Sequence, residues 1–103
     1  MPKGYWIARV DVHDPETYKN YLVHNQAAFA KFGGRYLVRG GSFETVDGKS
    51  RSRNVVLEFP TIEAAKACFR SPEYDLAQGY RTPASEADVI IIEGYEGPQP
   101  GQS

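Results

Sequence analysis

Three residues stand out for their chemistry: Arg9, Arg39 and Glu58 fall on predicted strands whose phase puts them on one face of a sheet, with Tyr5 beside them. A guanidinium in a half-apolar setting binds a carboxylate or phosphate through two parallel hydrogen bonds, and a carboxylate whose pKa burial raises can move protons. On this reading Arg39 anchors an anion and Glu58 carries the proton. Tyr5, Arg9 and Tyr36 line the site, and Tyr74 with Arg81 closes its mouth. The competing reading makes Arg39 and Glu58 a buried ion pair that fixes an interface, since such networks mimic sites. For Arg81 the alternative is a cation placed at a helix C-terminus, where it meets the negative end of the dipole.

Other residue types offer less. The two histidines, His13 and His24, lie eleven positions apart without the spacing of a metal site. Cys68 is the single cysteine and sits on an apolar helical stripe, which suits packing rather than a reactive thiolate. No nucleophile elbow or phosphate loop occurs, and the expected site holds neither metal nor cofactor. With 12 Lys and Arg against 13 Asp and Glu, the net charge of −1 gives no general attraction to nucleic acid or to an anionic membrane. The basic run Lys49, Arg51 and Arg53 alternates with serines and reads as a solvated strand end, Arg51 being offset by Glu44.

The chain of 103 residues is expected to form one domain over residues 1–94, with a flexible tail over 95–103. It has no apolar run long enough to span a bilayer and no secretory signal, so a cytoplasmic protein is expected. Tyr5 to Val12 alternates with the period of a strand, Trp6, Ala8, Val10 and Val12 sharing one side. Asp14-Pro15-Glu16 then supplies a cap, a first-turn proline and an acid for a helix whose stripe runs Tyr18, Tyr21, Leu22, Asn25, Ala28, Phe29 and Phe32. Thr61 caps a second helix through Phe69, and Ser71-Pro72-Glu73 starts a third to Arg81. Asp88 to Glu93 is a β-branched strand.

Between them, Gly33 to Phe59 reads as one long hairpin closed at Asp47-Gly48, with Val46 opposite Lys49 and Glu44 opposite Arg51. Gly40-Gly41 falls inside its first strand and marks a bulge or bend. Tyr36 and Val38 are assigned to the helix side, because burying unpaired guanidinium groups there would cost several kcal/mol.

The order βαββαβ specifies a ferredoxin-like α+β sandwich, a four-stranded antiparallel sheet with helices on one face. The other face carries Tyr5, Ile7, Leu37, Val56, Val89 and Ile91 beside Arg9, Arg39, Glu58 and Glu93. An exposed apolar patch of that kind marks a partner or ligand, and a homodimer joined sheet to sheet around a pocket is the economical solution.

The blocks DPETYKNY, GGRYLVRGG, VVLEFPTIEAAKACF, SPEYDLAQGYR and IIIEG, in this order, resemble the small bacterial proteins grouped as DUF1330, a family within the dimeric α/β-barrel superfamily. Positions matching the family's pattern include Tyr18, Tyr21, Tyr36, Arg39, Glu58, Tyr74 and Arg81. The resemblance implies homodimers joined through their sheets and assigns no reaction. Superfamily relatives include cofactor-free monooxygenases, muconolactone isomerases and haem-binding proteins. Two functions are therefore expected as alternatives. One is a homodimer binding a small carboxylated or aromatic metabolite, acting as a cofactor-independent monooxygenase- or isomerase-like enzyme. The other is a non-catalytic assembly module.

Overall fold

A computed structural model describes residues 1–102 and gives the order β1 (Gly4–Val12), α1 (Pro15–Lys31), β2 (Arg35–Arg39), β3 (Arg53–Phe59), α2 (Ile62–Phe69), α3 (Pro72–Ala84) and β4 (Ser85–Glu93). The strands form one antiparallel sheet in the order β2-β3-β1-β4. This is the ferredoxin-like arrangement, with its second helical segment broken in two.

Each helix starts where its cap places it. Asp14 accepts from the Thr17 backbone N–H at 3.2 Å, Thr61 from that of Ala64 at 3.1 Å, and Ser71 from that of Tyr74 at 3.1 Å. Prolines at the start of α1 and α3 lose no helical bond, because the first amides have no partner within the helix. The core is aromatic and lies between the sheet and the helices. Trp6 meets Phe29 and Tyr74 edge-on, with centroids 5.2 and 4.9 Å away. Its indole N–H donates to the Ala65 carbonyl of α2 at 2.8 Å, so its one polar atom is satisfied.

Three expectations need correction. The hairpin is cut short: β2 ends at Arg39, β3 begins at Arg53, and residues 40–52 form an irregular arm. Asp47-Gly48 does bend, and the Thr45 and Ser50 hydroxyls hydrogen-bond across it, but no ladder forms there. Arg51 instead turns to Asp11 Oδ2 at 2.8 Å and Asp88 Oδ2 at 2.9 Å, while Asp11 Oδ1 accepts from the Ser52 backbone N–H at 2.8 Å. Two carboxylates at the end of the β1–β4 pair hold the arm more strongly than the single exposed Glu44 can.

The bulge is also displaced. It falls between Tyr36 and Val38, not at Gly40-Gly41, so Val38 opposes Val56 on the open face and Arg39 opposes Val55 on the helix side. Tyr36 keeps the helix side as expected. Burial of the Arg39 charge is avoided because its guanidinium stays exposed and lies 4.4 Å above the Tyr36 ring. Finally, β4 has the opposite phase. Val89 pairs with Ala8 and Ile91 with Trp6, placing both under the helices, whereas Ile90 and Ile92 occupy the open face, 52% and 47% exposed. Glu93 shares the parity of Val89 and Ile91.

Candidate functional site: a cavity under the first helix

The buried stripe of α1 is not purely apolar. Tyr18, Tyr21 and Asn25 bring two hydroxyls and an amide under the helix, where they face Tyr74 and Arg81 of α3 and Arg53 of β3. Together with Trp6, Phe29 and Tyr36 they surround a partly open funnel with a cavity volume of about 30 Å³, or about 430 Å³ when all empty space out to open solvent is counted. Leu22, Tyr36, Arg53 and Val55 are half-buried, so the funnel opens along that side. Near it Gln26 Nε2 donates to the Tyr36 hydroxyl at 3.2 Å and to Asn25 Oδ1 at 2.8 Å.

The polar groups have distinct settings. The Tyr21 and Tyr74 hydroxyls are 2.9 Å apart. Burial pushes the Tyr21 phenol well above its ordinary pKa, with the neighbouring Tyr74 adding and Arg81 opposing. Tyr18 is also raised by burial, against the pull of Arg53. The Arg81 guanidinium carbon is 5.9 Å from the Tyr21 ring centre, and that of Arg53 is 5.9 Å from the Tyr18 ring centre. Arg81 is only 9% exposed, and the Nε atoms of Arg53 and Arg81 are buried without a hydrogen-bond partner among the described residues. Gly40 makes room for Arg53: a Cβ there would stand 2.6 Å from Arg53 Nη1.

The residues nominated from sequence divide between the two faces of the sheet. Tyr36, Tyr74 and Arg81 line the cavity. Tyr5, Arg9 and Glu58 lie on the open face, where the Tyr5 hydroxyl donates to Glu58 Oε2 at 3.2 Å, Arg35 Nε is 3.3 Å from Glu58 Oε1, and Arg9 pairs with Asp88 at 3.4 Å. Arg39 and Glu58 therefore do not meet. Their strands are paired, but the shifted bulge sends them to opposite sides.

Sequence reasoning passed over Tyr18, Tyr21 and Asn25 as stripe residues and Arg53 as a strand end. The available signal was the polar tips themselves: phenols and an amide on a buried stripe require partners. His24 stays outside the cavity, stacked on Tyr80 at 4.8 Å with Nδ1 2.8 Å from the Asn20 carbonyl. Cys68 is fully buried in the core. Among the described residues no cluster of three metal-ligating side chains occurs, and no helix is long and apolar enough to cross a membrane.

The model of the family described as "Domain of unknown function (DUF1330)" matches residues 3–95. Among solved structures, the chain is similar to a protein of unknown function from Rhodopseudomonas palustris, at 17% identity and a TM-score of 0.74, covering 93% of this chain and 85% of that one. It is also similar to SnoaB, a cofactor-independent oxygenase from Streptomyces nogalater, at 13% identity and a TM-score of 0.61, with 94% and 97% covered. A dimeric protein of unknown function with a ferredoxin-like fold from Bacteroides fragilis matches at 14% identity and a TM-score of 0.59, with 88% and 95% covered. At these identities the likeness is one of fold. No curated protein sequence matches the chain.

Proposed function

This chain belongs to the DUF1330 family, and we propose that it acts as a homodimer in which each protomer binds a small carboxylated or aromatic molecule in the cavity under α1. The observation that carries the reading is Arg81, a guanidinium nine-tenths buried at a cavity wall with an unpartnered Nε. A charge is costly to bury unless something pairs with it, and an anionic ligand would do so. The lining offers phenols, an amide and guanidinium groups but no carboxylate or imidazole. Such a site stabilises negative charge on a bound ligand instead of abstracting a proton with a base of its own. The chemistry that suits it is that of a cofactor-independent enzyme acting on an already acidic enol or phenol, and SnoaB, a cofactor-independent oxygenase, shares the fold.

Dimerisation is supported by the open face of the sheet. Ile7, Val56, Ile90 and Ile92 make it apolar, and Arg35–Glu58 and Arg9–Asp88 supply charged pairs around them. A dimeric relative of the same fold supports it further. In this arrangement Tyr5, Arg9 and Glu58 serve assembly, and Tyr36, Tyr74 and Arg81 serve the ligand.

The test combines solution mass with a thermal-shift screen of small carboxylates and phenols. Ile90→Glu should halve the mass, whereas Arg81→Gln should keep the dimer and lose the ligand-induced shift. A wild-type chain that is monomeric would refute the assembly, and an unchanged shift in Arg81→Gln would refute the site.

A further inference from the structure

Five of the seven arginines of this chain divide between the two faces of the sheet by their partners. On the open face Arg9, Arg35 and Arg51 each lie within 4 Å of a carboxylate, Asp88, Glu58 and Asp11 respectively. On the helix side Arg53 and Arg81 have none among the described residues, although both line the cavity and both bury an Nε without an acceptor. The neutral polar groups there add donors as well. Asn25 Oδ1 already accepts from Gln26, and the Tyr21–Tyr74 pair uses one of its two hydroxyl protons internally, which leaves the other free to donate. A lining with surplus donors and no free acid asks for a ligand rich in acceptors.

Arg81 stands over Tyr21 and Arg53 over Tyr18, and those two rings have centroids 5.2 Å apart. Arg81 is deep and Arg53 is at the half-buried opening. The walls between them are aromatic, so a flat ring packs there better than a flexible chain.

Resting on the cavity reading above, we infer that the ligand class is an aromatic or enolic hydroxycarboxylate. Its carboxylate is held by Arg81 at the closed end, and its second acidic oxygen by Arg53 at the funnel. A small aliphatic dicarboxylate offers two anionic groups without the ring, so the two sources are separated by experiment.

The probes are 2-hydroxybenzoate, benzoate, phenol, benzamide and malonate, measured by thermal shift and calorimetry on the full chain at fixed ionic strength. Affinity should fall in the order 2-hydroxybenzoate, benzoate, then phenol and benzamide, with malonate below 2-hydroxybenzoate. Arg53→Gln should reduce 2-hydroxybenzoate to the level of benzoate, roughly a tenfold loss, because one charge-assisted contact is removed. Arg81→Gln should lose both acids. Should Arg81→Gln not fold, Arg81→Lys serves, keeping the charge but losing the fork, and should weaken the acids while sparing phenol. Malonate binding best overturns the aromatic frame. Phenol or benzamide binding as well as the acids overturns the anion class while leaving the cavity reading intact. Binding of none of the five overturns both.

Discussion

Tyr21 of α1 and Tyr74 of α3 meet hydroxyl to hydroxyl at 2.9 Å, both buried, with Tyr74 also edge-on to Trp6 at the floor of the cavity. The contact ties the two helices that carry most of the polar lining. Tyr21→Phe leaves the Tyr74 hydroxyl without that partner, at a cost of about 1–3 kcal/mol. The double variant Tyr21→Phe/Tyr74→Phe should cost less than the sum of the singles, because both singles remove one shared bond. Thermal denaturation of the four proteins measures the coupling, and strict additivity would show that the hydroxyls act independently.

Gly40 has φ of +66° and lies against the Arg53 guanidinium. Gly40→Ala adds about 1–2 kcal/mol of backbone strain and pushes a methyl group into Arg53. Stability should fall by that order, and anion binding should weaken even in protein that remains folded. Gly41→Ala, where a Cβ meets nothing within 4 Å, is the control and should change neither. Denaturant melts with a ligand titration test the pair.

Burial pushes the Cys68 thiol up to about 12, with Glu73 adding to it. A thiol whose folded pKa lies above its unfolded value of about 8.5 keeps its proton in the native state. Its contribution to stability is therefore full below the unfolded pKa and is lost as pH rises towards the folded one. Native protein near pH 8 should not react with a thiol reagent except at the rate at which the chain opens, and denaturant should release one equivalent. Rapid labelling without denaturant would contradict this.

The Asp11 carboxyl is held below its ordinary pKa, first by the Ser52 backbone N–H and also by Arg51. A depressed carboxylate stabilises above its unfolded pKa of about 3.9, and that stabilisation is lost as pH falls through the lower folded value. The arm over 40–52 should loosen in that acid range while the sheet persists. Amide exchange of the arm, compared with that of β1, reads it. Arg51→Gln should expose the arm in the same way at neutral pH.

How far the sequence reveals this molecule depends on how locally each feature is determined. The helix starts at Asp14, Thr61 and Ser71 were legible because a cap needs only its own side chain and amides three residues on. The phase of β1 was legible because Arg9 and Asp11 alternate with Ala8, Val10 and Val12 and so mark the side away from the core. In β4 the run Val89, Ile90, Ile91 and Ile92 is apolar on both sides, so it holds no information on which pair faces the helices; only the pairing with β1 decides.

The candidate site was half legible for a related reason. Tyr36, Tyr74 and Arg81 were named, but Arg39 and Glu58 were joined by placing the irregularity at Gly40-Gly41 and keeping Tyr36 and Val38 together on the helix side to avoid burying guanidinium groups. A bulge at Leu37 changes the side of every residue beyond it, and nothing in RYLVR marks it. Arg53 was hidden for the same reason, since its neighbours Arg51 and Ser52 belong to the arm and it does not.

The claim on which the account rests is that ligand chemistry belongs to the helix side of the sheet and not to the face bearing Glu58. A crystal structure of the protein soaked with 2-hydroxybenzoate tests this most directly. Density is expected under α1, with the carboxylate on Arg81 and the ring against Tyr18 and Tyr21. Density beside Tyr5, Arg9 and Glu58, between two sheets, would contradict it.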